Sequence, residues 1–383
     1  MYGESLANGT STTRNTLRPV NDARPRPGIL TAEHVEALGT VQALRLAAGG
    51  MLKSVWHHGG LVNLARHIAG HSGVILRYHS VTDDQATTLA YLDSGLMVTR
   101  AAFHTQLRYL RRFYTVLPLD EMVNQVHRNR PLPRRAVAIT FDDGYRDNYT
   151  QAYPLLRAEG FPATFFVTTG CLDGGPPLWT AKLRFMVQRT TRRHVVPPGP
   201  LGPAVEIGST SDRQALFTRS IIALKNVPSR GRRELLEELA ETLGVTDFTA
   251  LTDTMMTWDD IREMHRNGMT IGAHTISHPN LPNTGAEEAT EEITGSRDMI
   301  AGKLGTRVAH FSYPNGRGSA HLNETVREIV RRSGFRSAVT SVHGCVRGGA
   351  DPWALRRVGV YNRHGHMPSF SLDVERARLQ RRA

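Results

Sequence analysis

Short apolar runs alternate with segments of helical periodicity from residue 73 onward, and this alternation constrains the fold more than any other feature. Apolar runs of strand length precede and follow segments in which apolar residues recur every three to four positions. Such alternation favours parallel βα units, because a strand, a crossover helix and a second strand pack most simply with the strands parallel. The predicted strands are 74–79, 136–141, 163–168, 270–273, 310–313 and 337–340, and the predicted helices are 99–113, 149–159, 258–267, 286–304 and 322–332.

The alternation of strand and helix patterns is interrupted at 172–252. This segment contains a Gly-Gly-Pro-Pro turn at 174–177, a proline-rich stretch at 196–203 and a charged helical run at 232–243. Turn residues and a change of periodicity mark it as separate from the flanking βα units. We therefore predict an insertion within one larger domain that spans 71–370.

Both ends differ in composition from that domain. Their composition predicts a disordered basic tail at residues 1–30 and a basic C-terminal tail at residues 371–383. The apolar spacing at residues 31–70 predicts an amphipathic helical extension. Within the extension, residues 32–68 either pack on the main domain or rest on an anionic membrane surface. No apolar run suits a secretory signal or a transmembrane helix. The expected location is the cytoplasm or the inner face of the membrane.

The net charge of +12 raises the question of nucleic-acid binding. Only four of the 47 basic side chains are lysines, and the arginines are spread along the chain rather than gathered with aromatic residues. We therefore expect no nucleic-acid partner. The two cysteines, Cys171 and Cys345, exclude a disulfide-dense scaffold and a four-thiolate zinc site. The sequence does not indicate an oligomeric state.

Two adjacent carboxylates, Asp142 and Asp143, end the predicted strand 136–141 and precede Gly144. At the carboxyl edge of a barrel they would project into the region where barrel enzymes bind substrate. An isolated Asp-Asp-Gly sequence is also a common structural turn.

His274 and His278 directly follow the strand 270–273. Two imidazoles at this spacing can converge on one ion, and one carboxylate would complete a set that leaves positions free for water and substrate. Hydrogen-bonded histidines without a metal are the alternative. A third motif, 311–316, ends a strand in a Pro/Gly turn that could either aim a backbone N–H at a bound oxygen or serve only as a turn.

In this order, the three motifs resemble those of the polysaccharide deacetylases of carbohydrate esterase family 4. The resemblance covers roughly 74–360 apart from the insertion, and it implies a distorted (β/α)7 barrel. It also implies that Asp143, His274 and His278 bind a divalent metal. Asp142 would then be the catalytic base, and the backbone N–H of Asn315 an oxyanion donor. Further residues that fit the family pattern are expected at the substrate site: Tyr145, Trp258, Tyr313 and Pro314.

Two departures place the chain closer to the branch linked to exopolysaccharide synthesis. Ser312 stands where many members have an arginine that orients the base, and no apolar-His motif follows residue 362. Segments 76–81 and 351–357 instead resemble the two ends of that branch. The resemblance implies that His79 is the general acid and that Arg357 is the partner of Asp142. A structural histidine and an ordinary salt bridge are the respective alternatives.

The expected function is therefore metal-dependent removal of N-acetyl groups from amino-sugar units of a polysaccharide, oligosaccharide or lipid-linked precursor. Zinc is the first expectation for the metal, and iron, cobalt or nickel suits the same ligands. An O-acetyl esterase and an inactive carbohydrate-binding scaffold are the alternatives.

Overall fold

A closed ring of seven parallel strands forms the centre of the computed structural model, which describes Val62, residues 68–316, Gly318 and residues 321–380. Strand β1 closes the ring because it pairs with β12 on one side and β5 on the other. The order around the ring is β1-β12-β11-β10-β9-β6-β5, and β4 adds to the edge of β5. The strands of the described residues are β1 (Val74–Tyr78), β2 (Ser80–Val81), β3 (Met97–Val98), β4 (Thr115–Val116), β5 (Ala136–Phe141), β6 (Thr164–Val167), β7 (His194–Val195), β8 (Val205–Glu206), β9 (Thr270–Ala273), β10 (His310–Ser312), β11 (Ser337–His343) and β12 (Leu355–Gly359).

Helices connect and cover these strands. The α-helices of the described residues are α1 (Gln85–Leu89), α2 (Arg100–Phe113), α3 (Leu119–His127), α4 (Tyr153–Ala158), α5 (Trp179–Arg189), α6 (Thr210–Lys225), α7 (Ser229–Leu243), α8 (Trp258–Arg266), α9 (Ala286–Leu304), α10 (Glu324–Arg332) and α11 (Met367–Leu379). The architecture confirms the predicted distorted (β/α)7 barrel.

Burial of the strands on both faces explains their uninterrupted apolar sequences. Every residue of β1 and β5 is buried, and these two strands pair in register from Val74 with Val137 to Tyr78 with Phe141. Parallel strands covered by helices have this property, whereas half-exposed strands alternate apolar and polar residues.

The segment between β6 and β9 builds a core of its own. Helices α5, α6 and α7 and the β7–β8 hairpin enclose a cluster of apolar side chains that runs from Trp179 to Leu243. This cluster lies within the range 172–252 that the sequence separates from the barrel. We refer to residues 179–248 as the helical insert.

Several elements differ from the sequence-based predictions. Helices α3 and α6 and strand β12 were not predicted, and the segment predicted as one helix over 149–159 is a π-helical turn at Asn148–Ala152 followed by α4. Residues 371–379, assigned to a basic tail, belong to helix α11. They fold there because Val374 and Ala377 join the barrel core, while the Arg378 guanidinium bonds to the Ser72 carbonyl oxygen at 3.2 Å and pairs with Glu375 at 2.9 Å.

Most of the predicted N-terminal regions, 1–30 and 31–70, lie outside the described residues. Within the described part of the chain, no helix combines the length and the apolar character needed to cross a bilayer.

Candidate active site

The polar side chains of the motifs meet where the barrel strands end. Asp142 and Asp143 follow β5, His274 follows β9 and His79 follows β1. Together with His278 and Asn315, they line one cavity of about 550 Å³. Because all barrel strands are parallel, their carboxyl ends open on the same face, which is the functional face of such barrels.

Asp143, His274 and His278 form a compact group. The Asp143 Oδ1 atom lies 3.3 Å from His274 Nε2 and 3.4 Å from His278 Nε2. Among the described residues this is the set of three whose ligand atoms all lie within 4.8 Å of one another. His274 Nδ1 donates a hydrogen bond to the Ser312 carbonyl oxygen at 2.7 Å, so Nε2 is the ring nitrogen that faces Asp143 and that would bind an ion.

The donor set fits a divalent ion. The two N–O separations are longer than ordinary N–H···O hydrogen bonds. They match the distance of about 3.3–3.6 Å expected between two ligand atoms that bind one tetrahedral ion with bonds of about 2.0–2.2 Å. Burial raises the pKa of Asp143, but its contacts with His274 and His278 outweigh that effect and hold the pKa well below its usual value. The group therefore offers one carboxylate and two imidazoles of the kind that zinc and related metals prefer.

Backbone strain is concentrated at this group. Asp143, Thr275, His278 and Asn315 have φ angles of 76°, 68°, 58° and 63°, in the left-handed region that side chains other than glycine rarely adopt. Thr275 Oγ1 accepts a bond from the His278 backbone N–H at 3.0 Å and so supports one of these conformations. Strain that is held in place by surrounding contacts is typical of functional sites.

Asp142 is paired with a buried arginine from the far end of the chain. Arg357 on β12 donates two bonds to its carboxylate, of 2.7 Å and 2.6 Å, and both side chains are at most 3% exposed. Ser312 Oγ also contacts Asp142 Oδ1 at 3.2 Å and accepts a bond from Arg357 at 3.0 Å. Burial raises the pKa of Asp142, but Arg357 outweighs it, so the pKa lies well below the usual carboxyl range.

His79 lines the same cavity and is 9% exposed. Burial lowers its pKa to about 4 although the nearby Asp143 favours the charged form, so the ring is neutral at pH 7. Its Nδ1 atom is buried and has no hydrogen-bond partner among the described residues. The His79 carbonyl oxygen accepts a bond of 2.7 Å from Asn148 Nδ2, which fixes the backbone at this strand end.

The predicted substrate-binding residues divide into two groups. Tyr145 lines the cavity, whereas Pro314 is buried directly before Asn315 in its turn. Trp258 and Tyr313 lie in the barrel core instead, and Tyr313 donates its hydroxyl proton to the Trp353 carbonyl oxygen at 2.9 Å. A role of these two residues in substrate binding stays a prediction, because sequence position alone does not show which face of an element a side chain occupies.

The structure adds cavity residues that the sequence analysis missed. Arg77 and Tyr361 come from the barrel, and Arg184 and Lys225 come from the helical insert. Arg77 lies two positions before His79 on β1, so that motif could have indicated it. The sequence of the insert does not indicate that Arg184 and Lys225 reach the cavity, because their position depends on how the insert packs against the barrel.

Comparisons with known proteins agree with this fold. A family model described as polysaccharide deacetylase matches residues 129–189 and 233–338. YxkH of Bacillus subtilis (strain 168), whose name describes it as a candidate polysaccharide deacetylase, is 22% identical over 288 residues, covering 75% of this chain and 70% of that protein. The poly-beta-1,6-N-acetyl-D-glucosamine N-deacetylase of Escherichia coli (strain K12) is 35% identical over 99 residues, which are 25% of this chain and only 14% of that enzyme.

Two solved structures share the fold. Streptococcus pyogenes deacetylase PplD in complex with acetate has a TM-score of 0.52 at 20% identity, with 79% of this chain and 98% of that chain covered. IcaB from Ammonifex degensii has a TM-score of 0.51 at 20% identity, with 79% and 97% covered. The barrel, the order of the motifs and the family model agree that the chain contains a polysaccharide deacetylase domain, matched over residues 129–189 and 233–338.

Proposed function

We propose that this protein is a metal-dependent hydrolase that removes N-acetyl groups from amino-sugar units of a polysaccharide, oligosaccharide or lipid-linked glycan precursor. The observation that carries the proposal is the juxtaposition of Asp143, His274 and His278 with the Arg357-paired Asp142 in one cavity. The name of the Escherichia coli relative supports an N-acetylated amino sugar as the substrate unit.

Asp143, His274 and His278 would hold the metal, with zinc as the proposed ion. A divalent ion bound there would lower the pKa of water and polarise the acetyl carbonyl. The hydrogen bond from His274 to the Ser312 carbonyl oxygen keeps that imidazole in the orientation and tautomer that ligation needs.

Asp142 is the proposed base. Its low pKa keeps it ionised at neutral pH, and the two bonds from Arg357 fix the plane of its carboxylate. It takes the proton that the attacking water loses. Asn315, in its left-handed conformation, provides a backbone N–H for the oxyanion that forms on the acetyl group.

His79 is the proposed acid for the leaving amine. Because its ring is neutral at pH 7, the proton that it delivers is the one released by the attacking water and first taken by Asp142. An amide needs this protonation, since the amide anion is a poor leaving group, whereas an acetyl ester does not. The position of His79 in the cavity wall therefore favours N-deacetylation.

Acetate release tests the proposal. The zinc-loaded protein is incubated with N-acetylglucosamine oligomers, and Asp142→Asn serves as the matched control because it keeps the shape of the side chain. We expect release by the wild type, a loss of at least about 100-fold in the variant, and loss of activity on chelation. Absence of release from N-acetylated oligomers, combined with release from O-acetylated sugars, would contradict N-deacetylation.

A further inference from the structure

The helical insert forms one wall of the active-site cavity. Phe217, Ile221 and Lys225 on α6 line it at intervals of four residues, so they occupy one face of that helix. Thr180 and Arg184 on α5 line it with the same spacing. The insert therefore presents two helical faces to the place where the substrate binds.

Most charges in the cavity are already paired. Arg184 pairs with Asp93 at 3.3 Å, and Asp142 pairs with Arg357 at 2.6 Å. Asp143 belongs to the proposed metal group. A divalent ion bound there would carry two positive charges, which exceed the single negative charge of this carboxylate.

Lys225 is a cation without a carboxylate partner among the described residues. It is half-buried at the end of α6, and it forms none of the ion pairs found within 4.0 Å in the described chain. His274 and His278 line the same cavity, so the Lys225 side chain and the proposed metal group share one substrate-binding space.

Arg77 is a second cation in the cavity wall that has no carboxylate partner among the described residues. It is 7% exposed, donates a bond of 2.7 Å to the Tyr361 hydroxyl and also contacts Ser341 Oγ, so its partners in the described chain are neutral. Its Nε atom is buried without a hydrogen-bond partner among the described residues. Withdrawing a guanidinium from water without a counter-charge is costly unless a ligand supplies that charge.

We propose that the cavity recognises an anionic group, a carboxylate or a phosphate, carried by the glycan near the N-acetylated sugar, with Lys225 and Arg77 as the residues that select it. The inference rests on the proposed function and adds a substrate class to it. A neutral polymer would leave both cations uncompensated beside a cationic metal, whereas an anionic neighbour would balance them. Lysine and arginine side chains bind both phosphate and carboxylate groups.

Three substrates distinguish the sources of the charge. They are the neutral N-acetylglucosamine tetramer, a tetrasaccharide that alternates N-acetylglucosamine with glucuronate, and an N-acetylglucosamine tetramer that ends in a phosphate monoester. For the zinc-loaded wild type, we expect kcat/KM for at least one charged substrate to exceed that for the neutral tetramer by about tenfold or more. The preferred substrate identifies the carboxylate or the phosphate as the source.

Lys225→Met is the diagnostic variant, and Lys182→Met is its matched control. Lys182 lies on α5 of the same insert, where its ammonium packs over the Phe248 ring at 4.5 Å. We expect Lys225→Met to lower the ratio of kcat/KM for the preferred charged substrate to kcat/KM for the neutral tetramer by about tenfold, mainly through a higher KM for the charged substrate. Lys225→Arg should restore the preference, and Lys182→Met should keep it.

Equal kcat/KM for neutral and charged substrates in the wild type would overturn the inference while leaving the deacetylase function intact. An equal loss in Lys225→Met and Lys182→Met would also overturn it, because the effect would then reflect overall charge. Absence of acetate release from all three substrates would instead overturn the proposed function, and the inference with it.

Discussion

At the scale of single residues, the ion pair of Asp142 with Arg357 explains how the chain accommodates Ser312 in the third motif. The guanidinium comes from β12 rather than from β10, and Ser312 Oγ bonds to both partners. Arg357 is further fixed by a bond of 2.8 Å from its Nε to the Thr340 carbonyl oxygen. A buried carboxylate without this partner would lose its charge or destabilise the fold, so the pair keeps Asp142, the proposed base, ionised at neutral pH.

His79 offers a prediction at this scale. His79→Gln keeps a polar side chain of similar size but removes the titratable ring. We expect N-acetyl hydrolysis to fall by about 10²–10⁴-fold, which is the usual contribution of a general acid. Hydrolysis of an O-acetyl ester should fall much less, because an alkoxide leaves more readily than an amide anion.

The measurement compares kcat for matched N-acetyl and O-acetyl sugars in the wild type and the variant. The ester activity of each protein serves as the control for its amide activity, because a folding defect would lower both activities together. Equal losses on amide and ester would argue against His79 as the acid.

At the scale of elements, a buried polar contact ties the connection after β1 to the segment after β5. The Asp147 carboxylate accepts bonds from the Ser80 hydroxyl and from Asn148 Nδ2, the latter at 2.8 Å. Asn148 in turn holds the His79 carbonyl oxygen. The strand end that positions His79 is thus anchored to the turn that begins with Asp142 and Asp143.

Asp147 makes this anchor sensitive to pH. Burial raises its pKa from 3.8 to about 7, and the hydrogen bonds only partly offset that effect. Because the folded state holds the proton more tightly than the unfolded state, the contribution of Asp147 to stability is largest below about pH 4 and declines until about pH 7. A difference of about three pKa units corresponds to roughly 4 kcal/mol.

Asp147→Asn should remove this decline. We expect the free energy of unfolding of the variant, relative to the wild type, to increase between pH 4.5 and pH 8 by about 3 kcal/mol. Urea unfolding at several pH values measures it, and Asp253→Asn at an exposed position is the control. A constant difference across this range would contradict the raised pKa.

At the scale of the whole molecule, the proposed metal group is assembled from two separate strand ends, and the helical insert closes against it. Asp143 follows β5, while both histidines follow β9, and the insert lies between these strands in the chain. Trp179 of the insert donates a bond of 2.8 Å to the His278 carbonyl oxygen. Metal binding would therefore join parts of the chain that are far apart in sequence.

Metal binding should accordingly stabilise the fold. A ligand at about 100 times its dissociation constant stabilises the folded state by about 2.7 kcal/mol. We expect zinc to raise the thermal midpoint of chelator-treated wild type and to bind with one ion per chain. His278→Ala should abolish both effects, and His194→Ala, at an exposed position of the β7–β8 hairpin, should retain them. Equal responses of the two variants would contradict the assigned ligands.

Local sequence patterns were sufficient to predict the alternation of strands and helices and to locate the motifs. Strands 136–141 and 270–273 and helix 286–304 have the bounds that periodicity predicts, because apolar spacing and turn residues act locally. The order of the Asp-Asp, His-His and Pro-Asn motifs was enough to indicate the family. The motifs were also expected to share one site, because the carboxyl ends of parallel strands lie on one face of a barrel.

Which side chains share the cavity depends on the packing of distant elements. Asp142 and Arg357 are 215 positions apart, and Lys225 reaches the site through a separately packed insert. Trp258 and Tyr313 match the family pattern but point into the core. Local sequence fixes where an element begins and ends, whereas the packing of distant elements fixes which of its faces meets the substrate, the core or an opposite charge.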